Sequence, residues 1–379
     1  MAVGAAAVTA ALAVLIAVLA NGSNPTSSPT RPATAPAQPP RPTVSFGANV
    51  GRLFNERAYS SAEIGAQLAA LRQTGATVAR SDALWEATEP AAPSGGTHQY
   101  DWTFDDSIAA SLAEHGLRWL PIIDYSAPWA QSVAGRDHSP PASTSAYAAY
   151  GEALARRYGP GGAFWTTHPG LTPQPVDTYE IWNEPDNLAF WSPTPNAAGY
   201  ANLYLSTRTA IDSVQTNARV IIGGLTHPAS FLPAMVAADP GLARQVEGVG
   251  IHPYGATPSS VLDAVRKARL TLDSLGMGTV PLYITEFGWT THPAGALDWA
   301  PSRDRPSYIA RTLTQLGHAN CGLADVLLYT WLTPERDPAN AQDWFGISPP
   351  IGGSTADTVA FGQGLRAATS PGATIALCG

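Results

Sequence analysis

From position 43 onward, short apolar runs alternate with longer amphipathic stretches. Runs rich in β-branched and aromatic residues over 44–49, 77–82, 117–124, 176–182, 219–224, 249–252, 280–285 and 324–331 read as strands. The stretches over 60–74, 105–115, 143–158, 196–216, 231–238, 259–275, 304–318 and 357–367 read as helices. Ser60 is a natural N-cap for the first of these, and Gly75 and Gly116 stand just past helix ends. Strands that alternate with helices call for a parallel sheet. Eight of them over about 330 residues fit an α/β fold, a closed (β/α)8 TIM barrel forming a single catalytic domain over 43–379. No Gly-rich phosphate loop follows any of the strands, which argues against nucleotide binding.

The long connections, 83–104, 125–142, 185–195 and 287–303, all follow strands and so belong on the C-terminal face, where barrel sites are built. Arg80, Asp82, Asp124, Asn183, Glu184, His252, Tyr254, Glu286 and Trp331 stand at strand ends and are expected to line one cleft there. In Trp182-Asn183-Glu184-Pro185 a carboxyl ends an apolar strand and a proline stops it; buried carboxylates are costly, so chemistry is the expected purpose. Tyr283-Ile284-Thr285-Glu286-Phe287-Gly288-Trp289 repeats the arrangement. A lone Glu184 could simply cap the helix that follows. Two glutamates across one barrel mouth instead suit glycoside hydrolysis, in which one carboxyl donates a proton to the leaving oxygen and the other attacks the anomeric carbon or activates water.

These two phrases resemble the paired signatures of the superfamily of retaining (β/α)8 glycoside hydrolases. The resemblance implies that Glu184 is the general acid/base and Glu286 the nucleophile, with Asn183 on the sugar 2-hydroxyl. It further implies that Arg80 keeps the nucleophile ionised, that Tyr254 of Ile251-His252-Pro253-Tyr254 stands beside it, and that Trp331 floors the glycone site. Arg80-Ser81-Asp82-Ala83-Leu84-Trp85, Tyr100-Asp101-Trp102 and Asp105-Asp106 resemble, more narrowly, the family of β-xylosidases, α-iduronidases and relatives acting on bacterial exopolysaccharide.

Two rival readings of the same residues need weighing. His252, Glu286, Asp124 and Glu184 could gather around a metal, but no His-x-x-x-His or Glu-x-x-His spacing occurs, and no metal or cofactor is expected. Trp85, Trp129, Trp191, Trp289, Trp299, Trp331 and Trp344 fall on or after strand ends. Trp331 and at least one of Trp191 and Trp289 are expected to stack on sugar rings, whereas Trp102 and Trp119 read as core.

Composition narrows the partners. Lys+Arg 21 against Asp+Glu 29 gives a net charge of -8, a poor match for nucleic acid or anionic membrane surfaces. Positions 2–20 are apolar or small apart from Thr9, and 21–42 are almost all Pro, Ser, Thr, Ala and Gly. That pattern reads as a signal peptide or membrane anchor, 1–20, then a disordered linker, 21–42, and places the domain outside the cytoplasm, secreted or anchored at the cell surface. Contact with a membrane is expected only through that anchor. Cys321 and Cys378 are the only cysteines, and in an exported chain they favour one disulfide over two separate buried thiols. The expected partner is an oligo- or polysaccharide, bound by a monomer; a carbohydrate-binding barrel without catalysis and a surface adhesion domain are the alternatives.

Overall fold

Eight parallel strands close on themselves in chain order in the computed structural model, which describes residues 44–55, 58–292, 298–333, 337–350 and 353–379. They are β1 (Ser45–Asn49), β2 (Val78–Leu84), β3 (Arg118–Asp124), β4 (Thr178–Ile181), β5 (Arg219–Leu225), β6 (Val249–Ile251), β7 (Leu282–Ile284) and β8 (Leu323–Leu328). β1 closes the ring against β8, with Ser45 opposite Asp325 and Ala48 opposite Leu328. The expected barrel is therefore present, and the described residues belong to one compact unit, Pro42–Gly379. The segments 1–20 and 21–42 lie outside the described residues. No helix among the described residues is long and apolar enough to cross a membrane.

Helices cover the outside of the ring, and their ends follow local chemistry. Ser60 accepts from the Glu63 amide and the Glu63 side chain returns to Ser60, a capping box that starts the helix Ser61–Gln73. Asn196 caps Ala197–Asp212, its side chain accepting from the Gly199 amide, and that helix ends four residues short of expectation. Short helices at Gly51–Phe54, Trp85–Thr88 and Ala163–Thr167 were not legible, being a single turn each. Trp119 is core as expected, 2% exposed, with its indole N–H donated to Ser81 Oγ.

Four of the strands, β4 and β8 among them, end earlier than the apolar runs suggest, while β2 and β5 run on to Leu84 and Leu225. β4 stops at Ile181 and β8 at Leu328, because the residues beyond turn into the site instead of continuing the ladder. Inside the ring, Arg118 pairs with Asp325 at 2.7 Å near the strand starts. Above them Val78, Leu120 and Leu327 form a small dry cluster of their own. Above that plug the interior turns polar, beginning with Arg80 and Glu180. The barrel is thus sealed at one end and open to chemistry at the other.

Cys321 and Cys378 are bonded to each other as expected. Asn320 reinforces the join, its Oδ1 accepting from the amides of Leu377 and Cys378 at 2.8 Å each. The bridge closes a loop with a sequence separation of 57, for which chain entropy alone predicts roughly 4 kcal/mol. Reducing it, or replacing both cysteines by serine, is expected to lower the thermal midpoint by several degrees, read by circular dichroism with and without reductant.

Candidate active site

Arg80 projects from β2 into the ring and is 1% exposed. Its Nε donates to Glu180 Oε2 at 2.6 Å, one terminal nitrogen to Asn49 Oδ1 (2.7 Å) and Glu286 Oε1 (2.6 Å), and the other to Glu180 Oε1 (3.2 Å) and Asn183 Oδ1 (3.0 Å). Every N–H of the guanidinium is therefore used. Burial pulls its pKa down, but the charges of Glu180 and Glu286 outweigh it and hold the group cationic. Glu180 is equally well satisfied, since its Oε1 also accepts from the Gly224 amide (2.8 Å) and Thr285 Oγ1 (3.0 Å).

Glu286 follows β7 and Glu184 follows β4, and both face the same cleft. Glu286 Oε2 accepts from the Tyr254 hydroxyl at 2.7 Å, so with Arg80 on Oε1 its carboxyl is gripped from both sides. No arginine among the described residues is bonded to Glu184. Its Oε2 accepts from the Asn187 amide at 2.6 Å and its Oε1 lies 2.7 Å from His252 Nδ1.

His252 Nε2 lies 3.1 Å from Thr285 Oγ1. Because that hydroxyl donates to Glu180, it accepts here, and His252 must carry its proton on Nε2. A second proton is then shared between Nδ1 and Glu184. Burial lowers the pKa of His252, yet Glu286 and Glu184 raise it overall, which keeps that proton in the pair. Gly224 makes the arrangement possible, because a Cβ there would stand 1.9 Å from His252 Nε2.

The turn that delivers Glu184 is strained. Trp182 has φ 64° and Glu184 φ 45°, a region that side chains rarely adopt and that the following Pro185 further disfavours. Each such residue costs about 1–3 kcal/mol and persists only where its surroundings over-determine it. Here they do. The Trp182 indole donates to the Phe190 carbonyl at 2.7 Å, and Asp186 takes the amides of Thr226 (3.1 Å) and His227 (2.5 Å).

The cleft has a volume of about 810 Å³, and Arg80, Asp82, Asn183, Glu184, Tyr254 and Glu286 all line it. His252 sits behind, touching both glutamates, the second at 3.7 Å. Four expectations fail. Trp331 is 1% exposed, its indole bonded to Gln67 Oε1 at 2.9 Å and its ring beside Phe361 of the outer layer. Trp289 donates to the Gly255 carbonyl at 2.8 Å, and Trp191 is wedged between Trp182 and Tyr200. All three pack behind the wall, where large rings bury most area, and the aromatic rings that line the cleft are Tyr125, Phe190, Tyr254 and Tyr329. Asp124 also lies beneath the wall, fully buried.

Sequence reasoning missed Glu180, Asn49, Asn187, Tyr125 and Tyr329. A signal existed for Glu180 only, as a charge in the middle of an apolar strand, which must find a buried partner. The Glu184, His252 and Glu286 ligand atoms lie within 4.8 Å of one another, close enough to hold an ion. Each is already committed, however, and the Arg80 cation bonded to Glu286 opposes a second positive charge.

Two outcomes are expected. Arg80→Ala leaves Glu180 buried without its cation and should cost about 3–5 kcal/mol in denaturant unfolding. Burial, then the charge of Asp82, raises the pKa of Asp124 well above the usual range. Its stabilising contribution is complete below an unfolded value of about 4 and is lost, by about 1.4 kcal/mol per pH unit, as pH rises toward the folded value. Asp124→Asn should remove that decline, so the stability difference between variant and parent grows with pH above about 4.

No protein-family model matches the sequence, and no curated protein does. Solved structures do match. A GH39 enzyme from Xanthomonas axonopodis pv. citri superposes with TM-score 0.63 at 18% identity, over 85% of this chain and 65% of its own. A GH39 β-xylosidase from Caulobacter crescentus gives 0.63 at 20%, over 84% and 70%. A glucosidase from Croceicoccus marinus gives 0.64 at 15%, over 86% and 67%. The chain spans just under two thirds of the length of the first of these and shares with all three the (β/α)8 barrel fold.

Proposed function

We propose that the chain is a retaining glycoside hydrolase that cleaves β-type O-glycosidic bonds in an oligo- or polysaccharide. The observation that carries this reading is the pair Glu184 and Glu286, which face one cleft with one oxygen of each carboxyl within 4.8 Å and with different hydrogen-bond partners. Retaining enzymes hold their carboxyls about 5–5.5 Å apart, and inverting ones about 6.5–9.5 Å, to admit a water. The likeness in fold to glycoside hydrolases supports the same reading.

Glu184 donates its proton to the glycosidic oxygen while the Glu286 carboxylate attacks the anomeric carbon; the bond to the leaving sugar breaks and a glycosyl ester forms. Arg80 and Tyr254 hold the two oxygens of Glu286 in place until then. Glu184, now a carboxylate, takes a proton from water, whose oxygen attacks the anomeric carbon and frees Glu286. Two inversions give net retention. Asn183, its oxygen held by Arg80, presents its amide to the sugar 2-hydroxyl.

A cleft of about 810 Å³ holds more than one sugar ring, and Leu188 and Trp299, both exposed, stand next to lining residues on opposite loops. Both features support a substrate longer than one residue. The disulfide suits an oxidising compartment and supports export, with the domain secreted or tethered at the cell surface.

Glu184→Gln is expected to slow hydrolysis of oligosaccharides by about 10²–10⁴-fold, while aryl glycosides with good leaving groups still form the ester, seen as a burst of phenol. Proton NMR of the first-formed product should show the substrate's own anomer. The opposite anomer would remove the retaining mechanism, and a parent that binds oligosaccharide but hydrolyses no glycoside would favour a binding barrel.

A further inference from the structure

Asp124 plays no part in that mechanism, yet it is a fully buried carboxyl with neither oxygen reached by an N–H or O–H donor. What it faces is another acid. On β2 and β3, Asp82 lies opposite Ile122 and Leu84 opposite Asp124, so the two aspartates are diagonal neighbours on the inward face of adjacent strands. Burial, then the charge of Asp82, holds the pKa of Asp124 well above the usual carboxylate range, which favours a proton on Asp124 next to Asp82, and Asp82 itself lines the cleft.

One oxygen of Asp82 is fixed. Asn55 Nδ2 donates to Oδ2 at 2.5 Å, and Gly51 leaves room beside it, since a Cβ at 51 would come within 2.7 Å of that oxygen. Asp82 stands two residues beyond Arg80 on the same strand, roughly 7 Å nearer the mouth. Arg80 and Asp82 stand on the same inward face of β2, Arg80 bonded to Glu286, and all three line one cleft.

Resting on the glycosidase reading, we infer that Asp82, oriented by the carboxyl of Asp124, reads the glycone by accepting hydrogen bonds from two adjacent hydroxyls on the ring side remote from the scissile bond. A carboxylate there selects a neutral pyranoside, pentose or hexose, and repels a uronate. Asp298 adds negative charge to the same cleft. Of the two arginines that line it, Arg80 is spent on Glu180 and Glu286, and Arg52 lies 3.8 Å from Asp343.

The test compares aryl xyloside, glucoside and glucuronide with the parent and with Asp82→Ala, Asp124→Ala and Asp124→Asn, each checked for folding by circular dichroism. A parent that hydrolyses none of these or any other glycoside defeats the glycosidase reading itself. With an active parent, Asp82→Ala is expected to lower kcat/KM for the preferred neutral glycoside about 10²–10³-fold and to narrow its preference over the uronide. Deoxygenating the substrate at the recognised hydroxyl should cost the parent a similar factor and cost Asp82→Ala little, the signature of a direct contact. Asp124→Asn, which keeps an N–H toward Asp82, should recover most of what Asp124→Ala loses. Asp82→Ala within threefold of the parent, a parent that takes the uronide as readily, or an Asp124→Asn as poor as Asp124→Ala would overturn the inference. If the Asp124 variants do not fold, Asp82→Ala and the deoxygenated substrates decide it.

Discussion

The guanidinium of Arg80 is the interaction on which the upper half of the barrel depends. It joins β2 to Asn49 on β1, Glu180 on β4 and Glu286 beyond β7, so that the same bonds that hold strands in register also fix the Glu286 carboxyl. Taking a cation and two carboxylates out of water costs several kcal/mol per ion, which is recovered only where the hydrogen bonding is complete. Arg80 meets that condition with all its N–H groups engaged, and a lysine, with three donors from one point, could not span the same partners.

Around that hub two carboxyls of the same kind receive different fates. Glu286 is bracketed by a cation and a phenol, while Glu184 is bracketed by an amide and an imidazole whose other nitrogen is tied through Thr285 to Glu180. One buried glutamate, Glu180, therefore reaches both: directly to the arginine that binds Glu286, and through the Thr285 hydroxyl to the imidazole that meets Glu184. The two glutamates are positioned by a single connected network.

Much of this was legible in the chain. The eight-strand alternation gave the barrel, and Arg80, Asn183, Glu184, Tyr254 and Glu286 were identifiable because polar groups at the ends of apolar strands have few other reasons to be there. The tryptophans were not. Whether an aromatic just past a strand faces the cleft or the helices depends on where the ladder stops, and β8 ends three residues before Trp331, which leaves Tyr329 on the cleft and turns Trp331 toward Phe361. Glu180 was hidden for another reason, since its role depends on partners brought from other strands, and Asp124, expected in the cleft, lies buried behind it.

The positive φ of Glu184 has a bearing on how such a site is kept. Glycine accepts that backbone freely, and the strain it would relieve, about 1–3 kcal/mol, exceeds the 0.5–1 kcal/mol that a glycine's extra chain freedom costs. The same replacement deletes the carboxyl. At this position the route to a calmer fold is also the route to an inert one, so drift in sequence is biased toward silent barrels unless turnover itself is under selection.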